Sequence, residues 1–194
     1  MNVLLLAPHP FYQARGTPIA VDLVLKVLSS RGEKVDIITF PEGEDVCYEN
    51  VKIHRTPAFK FTQNIRPGFS FKKLICDVFI FANAIKLVKA QKYDIIHAGE
   101  ESVFIALFIK KTLGIPYIYD MDSSLVQQLI DKYPWLKNVG FILRKFEGTA
   151  IRNAEAVIAV CQALEVEAQR YRPNKVVVIP DISLLNYSQL SYKS

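Results

Sequence analysis

Three groups of residues have the types and spacing to do chemistry. In Tyr93-Asp94-Ile95-Ile96-His97-Ala98-Gly99-Glu100-Glu101-Ser102, a β-rich run ends on a histidine, a glycine turns the chain, and two carboxylates follow. An imidazole or carboxylate at a strand end can act as general base toward a hydroxyl, so His97 and Glu100 are candidate catalytic groups. A structural reading stands beside this one. Acids in a first helical turn complement the helix dipole, and a strand-end histidine is often a satisfied core group. In Tyr119-Asp120-Met121-Asp122-Ser123-Ser124, two acids stand two apart, on one face of an extended strand. Asp120 is the third catalytic candidate and Asp122 a substrate-binding one. Two carboxylates without further oxygen ligands fall short of a cation site, and no metal is expected. One of them capping a helix at Ser124 is the alternative. The third group, Arg15-Gly16-Thr17, lies between a first apolar run and an apolar helical pattern. With Gly99 these three are candidate substrate-binding residues, and the basic loop suits an anionic or sugar-like guest.

All three groups need a scaffold that gathers strand ends. The alternation predicts strands at Asn2–Ala7, Val35–Phe40, Val51–Thr56, Asp94–Ala98, Pro116–Met121, Ala156–Val160 and Val176–Ile179. Helices are expected at Pro18–Arg31, Phe71–Lys92, Glu101–Leu113, Ser124–Lys132, Val139–Asn153 and Gln162–Tyr171. Thr17 is a good N-cap and Pro18 fits the first helical position. Gly32 and Gly114 stand where helix C-caps belong. Continuous Val/Ile runs suit parallel strands covered on both faces. The expectation is an α/β, Rossmann-like three-layer sandwich with a mostly parallel sheet, whose ligands bind at the carboxyl ends of the strands. Residues 1–180 would form this domain, and residues 181–194 a tail or the start of an interdomain linker.

Composition narrows the function classes. The chain has 194 residues, 51% hydrophobic and 22% charged, with net charge +5. That balance is globular and favours anionic partners, but it is well short of a nucleic-acid arm. Cys47, Cys76 and Cys161 have no metal-ligand spacing and are odd in number, which suits a reducing, cytoplasmic compartment. No signal peptide is read at the N-terminus, and Leu74–Val88 is too short and polar to span a bilayer. The glycine fingerprint of dinucleotide enzymes and the P-loop lysine are both missing. One further segment, Val51–Cys76, holds Lys52, Arg55, Lys60, Arg66, Lys72 and Lys73 among Phe59, Phe61, Phe69 and Phe71, with no acid. Cations beside aromatics suit an anionic membrane surface. The alternative is a loop whose phenylalanines tuck inward. Nucleic acid is not expected.

The ordered motifs resemble the amino-terminal half of a retaining, family 4 (group 1) glycosyltransferase of the GT-B fold. Val3-Leu4-Leu5-Leu6-Ala7-Pro8, the glycine loop and Arg31-Gly32-Glu33-Lys34-Val35 are similar to the family's opening, where relatives often read RGHEV. Asp94-Ile95-Ile96-His97-Ala98 matches its D-[IV]-[IV]-H strand, and Asn153–Cys161 its A-D-x-V-I-x-V-S strand and turn. Val176–Pro180 resembles the strand before the crossing into the second domain. The resemblance implies an acceptor-binding domain, with a nucleotide-sugar as co-substrate and no required cofactor or metal. His97 matches the strand-end histidine and Gly16 the glycine loop. A second, cleft-facing histidine of many relatives is Gly99 here, Cys161 replaces the usual Ser, and Asp181-Ile182-Ser183 replaces Asn-Gly-Val.

The resemblance implies that the donor-binding domain, which carries the family's E-x7-E motif, lies outside these 194 residues. The resemblance therefore implies the acceptor half of a transferase acting on a carbohydrate or lipid-linked acceptor, as in cell-envelope polysaccharide synthesis. It would need a donor-binding domain or subunit, and could lie peripherally at the inner membrane face. The alternative is a non-catalytic membrane-docking or partner-binding subunit.

Overall fold

A computed structural model describes residues 1–14, 16–59 and 71–180. Seven strands form one sheet: β1 Asn2–Ala7, β2 Lys34–Thr39, β3 Val51–Arg55, β4 Ile95–Gly99, β5 Tyr117–Met121, β6 Ala156–Ala159 and β7 Val176–Val178. Their order is β3-β2-β1-β4-β5-β6-β7, and every pairing is parallel. The helices are α1 Gly16–Ser30, α2 Phe71–Ala90, α3 Val103–Leu113, α4 Leu125–Lys132, α5 Gly140–Asn153 and α6 Gln162–Gln169. The order reverses between β1 and β4, so the site of an open α/β sheet belongs above the carboxyl ends of these two strands.

Strand alternation sorts the core into two layers. Leu4, Leu6, Ile96, Ala98, Tyr117, Tyr119 and Met121 pack with Cys76 and Ile80 of α2, Val103 and Ala106 of α3, and Ile151 of α5. Val3, Leu5, Ala7, Val35 and Ile37 point the other way, onto Val21 and Leu25 of α1. Residues of β4 and β5 that alternate with these core positions therefore face the α1 side, and His97 and Asp120 are two of them. On that side Ile118, Asp120 and Ile158 are only half-buried.

Element ends differ from the expected ones in physically readable ways. Helix α1 begins at Gly16, so Thr17 lies inside the first turn rather than capping it. Glu100–Ser102 and Pro134–Val139 are 3-10 turns leading into α3 and α5, so the helices expected from Glu101 and Val139 start later. Gly114 caps α3 at φ 75° and Gly32 follows α1 at φ 72°, both in the left-handed region that glycine enters without penalty. Gly16 has no positive φ, and a Cβ there would meet nothing within 4 Å. A tight turn is not the reason for that glycine.

Candidate functional site

The carboxyl ends of β1, β4 and β5 surround a shallow cleft lined by Thr17, His97, Gly99, Glu100, Asp120 and Asp122. Six of the eight candidate residues thus meet in one place. Gly16, exposed, opens the helix beside it, and Arg15 lies outside the described residues.

At its floor, the His97 Nε2 is 2.9 Å from the Asp120 carboxylate. The register explains this pair. Gly99 is aligned with Asp120 and His97 with Ile118, so His97 and Asp120 are diagonal neighbours on the α1 face of adjacent strands. His97 is only 8% exposed, so its imidazole can orient Asp120 while the carboxylate keeps a second oxygen for a guest. Asp120 is engaged by a side chain, and among the described residues no cluster of three potential metal ligands occurs.

Glu100 sits on the crest of the sheet edge with φ 47°, a left-handed conformation uncommon for a residue with a side chain. Its carboxylate accepts a hydrogen bond from the Lys73 ammonium, which lies 2.8 Å from the Glu101 carboxylate as well. Burial works against the Lys73 charge, but Glu101 and Glu100 more than offset it and hold the ammonium above its usual range. Asp77, one turn along α2, is pushed up to about 8 by burial, with the Glu101 charge adding to it. Glu101 is pushed up to about 7, again by burial first. Its partner is Lys73, so it does more than complement the helix dipole.

The third strand end is held by a residue that sequence reading missed. Glu147 of α5 is 1% exposed, and its carboxylate accepts from the Leu125 N–H at 2.7 Å and the Val126 N–H at 3.4 Å. It also accepts from the Ser124 hydroxyl at 3.2 Å. Ser124 accepts in turn from the Gln127 N–H at 3.3 Å. The anion at the start of α4 is therefore Glu147, and neither Asp120 nor Asp122 is the cap. Burial pushes the Glu147 carboxyl up, against the lowering by these donors.

The basic segment is not one solvated face. Arg55 donates to the carbonyls of Phe11 at 2.6 Å and Glu44 at 2.9 Å, and pairs with Asp45 at 2.8 Å, clasping two loops at the sheet edge. Lys73 is buried in the carboxylate cluster. Lys52 and Lys72 are exposed, and Phe59 lies against Phe79 at 5.4 Å between ring centroids. Lys60, Phe61, Arg66 and Phe69 lie outside the described residues, as does the side chain of Phe71. Among the described residues, no helix is long and apolar enough to cross a membrane.

Sheet order, helix placement and strand-end cleft narrow the fold, and the sequence decides the family. Residues 15–181 match the model of Glycosyltransferase Family 4. The chain belongs to that family. None of the curated proteins matches the sequence. Among solved structures, sucrose-phosphate synthase from Thermosynechococcus elongatus is similar at TM-score 0.67 and 19% identity, over 94% of this chain and 48% of that one. A UGT transferase from Siraitia grosvenorii in complex with UDP gives 0.55 and 14%, over 97% and 53%. Arabidopsis thaliana UGT89C1 complexed with quercetin gives 0.56 and 13%, over 98% and 53%. Likeness at these identities shows the shared GT-B half-fold alone, and the family 4 chain spans about half of each of these three proteins.

Proposed function

We propose that this family 4 domain is the acceptor-binding half of a sugar transferase. It presents a carbohydrate or lipid-linked hydroxyl to a nucleotide-sugar held by a separate donor-binding domain. The observation that carries this reading is the His97–Asp120 pair beside Glu100, on the strand ends where the sheet order reverses. Asp120 accepts a hydrogen bond from an acceptor hydroxyl, His97 holds Asp120 in place, and Glu100 binds a second hydroxyl from the crest. Thr17, Gly99 and Asp122 line the wall, and the ring rests outside the shallow cleft, against the exposed start of α1 at Gly16. Such contacts position a nucleophilic oxygen, and positioning is a large part of group-transfer catalysis. Among its described residues the cleft carries the carboxylates of Glu100, Asp120 and Asp122, which disfavour a diphosphate and support assigning the donor to another domain.

Calorimetric titration tests the division of labour. Simple glycosides are expected to bind this chain, with Asp120→Asn weakening them, while nucleotide-sugars bind negligibly. Tight nucleotide-sugar binding to this chain alone would overturn it.

A second reading has its own observation. Trp135 is 68% exposed, Phe141 70% and Phe146 62%, along a stretch that carries exposed Lys137, Arg144 and Lys145. Aromatics among cations suit the interfacial region of an anionic membrane. A docking subunit at the inner membrane face would use this stretch. Flotation with phosphatidylglycerol vesicles should then fall for a Trp135→Ser/Phe141→Ser variant, and unchanged flotation would remove the reading.

A further inference from the structure

The parallel strands fix where α2, α3 and α4 begin. Helices α2 and α3 lead back into the parallel strands β4 and β5, and α4 starts directly after β5, so the first turns of all three gather at the carboxyl edge, beside the cleft but on the opposite face. Between them runs an open groove of about 500 Å³, walled by Leu74, Val78, Phe81, Phe104, Phe108 and Leu129. That volume falls in the range of about 300–1,000 Å³ of small-molecule sites. Its walls are not closed core. Val78 is 60% exposed, and Leu74, Phe81, Phe104 and Phe108 are exposed too, with Phe81 and Phe108 edge to face at 5.3 Å. An apolar surface of this extent marks a site that something covers.

The charged groups of the groove are gathered at one end. Lys73, Asp77 and Glu101 line that end, and Lys73 also holds Glu100, which lines the cleft of His97 and Asp120. A molecule lying along the groove therefore reaches the proposed acceptor position over the crest at Glu100. Three carboxyl groups surround one ammonium there, which disfavours a phosphate and favours hydroxyls. Away from the crest, Phe104, Leu125 and Leu129 are shared with a second apolar hollow of about 270 Å³ that reaches Leu143 and Phe146 of α5. Arg144 and Lys145 are exposed next to Phe146 in the chain. Gln128 of α4 also lines the groove, but its amide donates to the Ser123 hydroxyl, so the channel between a hydroxyl-binding end and a basic aromatic end is otherwise apolar and has the profile of a site for a lipid tail.

We propose that this groove holds the hydrocarbon tail of an amphiphilic acceptor, whose uncharged, hydroxylated head crosses Glu100 to reach Asp120. The seated tail fixes which hydroxyl arrives at the sheet edge. The inference rests on the acceptor-binding reading for the head, whereas the tail site stands on the groove alone.

The test is calorimetric titration of the full chain with hexyl, octyl, decyl and dodecyl β-glucosides, each below the concentration at which it self-associates. Burial of each added methylene should tighten Kd by about fourfold until the groove is filled. Phe81→Ser/Phe108→Ser, both at exposed positions further along the groove from Asp77 and Glu101, should weaken dodecyl glucoside at least tenfold and leave hexyl glucoside nearly unchanged. An unchanged melting curve would show that this variant still folds. Asp120→Asn separates the two readings, because it should weaken every glucoside by one common factor and preserve the methylene increment. A flat series, or an aryl glucoside that outbinds dodecyl glucoside, would overturn the tail site in favour of a compact aromatic guest. Sedimentation showing a dimer that dodecyl glucoside leaves intact would overturn it in favour of a second copy of the chain. A preserved increment with no effect of Asp120→Asn would overturn the placement of the head.

Discussion

Glu147→Ala is the sharpest test of how the strand-end site is built. The substitution removes a carboxylate that accepts from two backbone N–H groups and the Ser124 hydroxyl at the start of α4. Hydrogen bonds to a charged group contribute about 1.5–3 kcal/mol each, but burial of the Glu147 charge, which pushes its pKa up, offsets part of that. Orphaned donors and a cavity in the α5 packing leave a net loss of about 3–5 kcal/mol. For a domain of this size, about 2–4 °C per kcal/mol gives a fall in Tm of roughly 6–20 °C. Glu147→Gln keeps the volume and one acceptor oxygen, so it should cost about 1–2 kcal/mol. Circular dichroism melts with urea unfolding at fixed pH would measure both. A Glu147→Ala cost under about 1 kcal/mol, or a Gln variant as unstable as the Ala variant, would refute the anchoring by Glu147 of the end of β5 and the turn after it, which carry Asp120 and Asp122.

Three further outcomes follow from named contacts. Asp77 and Glu101 titrate near 8 and 7 in the folded chain, above the unfolded carboxyl range of about 4. Stability from this pair is thus fully present below about pH 4 and lost as pH rises through 7 and 8. Urea midpoints should fall from pH 6 to pH 9, and Asp77→Asn should shrink that fall. Gly43→Ala should destabilise by about 2–4 kcal/mol in the same assay, since φ is 129° and the Cβ would stand 2.1 Å from the Phe11 carbonyl oxygen. A loss below 1 kcal/mol would show that the two loops at this edge separate easily. Asp120→Asn should leave the melting curve within about 1 kcal/mol and weaken glycoside binding by about tenfold or more, because one charge-assisted acceptor becomes a neutral one.

Much of this was legible because burial writes itself into the chain. Asn2–Ala7 reads as a strand since nearly every position is apolar, and the structure buries Val3 to Ala7 on both faces. His97 and Asp120 were legible as strand ends, and local pattern places each at the carboxyl edge. Their contact was not, since it depends on a register between strands 23 residues apart in sequence. Lys73 misled for a related reason. Helical periodicity gives its face on α2, but Glu100 and Glu101 arrive from β4's turn and convert a presumed solvent cation into a buried ion pair. Glu147 carried no signal at all, because a lone acid in an amphipathic helix ordinarily faces water and its partners lie on another element. The apolar groove was equally hidden. Its walls come from three helices, and each contributes residues that read as ordinary core positions.

In the proposed division of labour, the sheet edge around His97, Glu100 and Asp120 binds the acceptor while the donor belongs elsewhere. Backbone amide chemical-shift mapping of the labelled chain tests this most directly, with octyl glucoside and a nucleotide-sugar added in separate titrations. Saturable shifts are expected for the glucoside at His97, Gly99, Glu100 and Asp122, lost in Asp120→Asn, and none at these positions for the nucleotide-sugar. Saturable shifts from the nucleotide-sugar at that edge, with none from the glucoside, would contradict it.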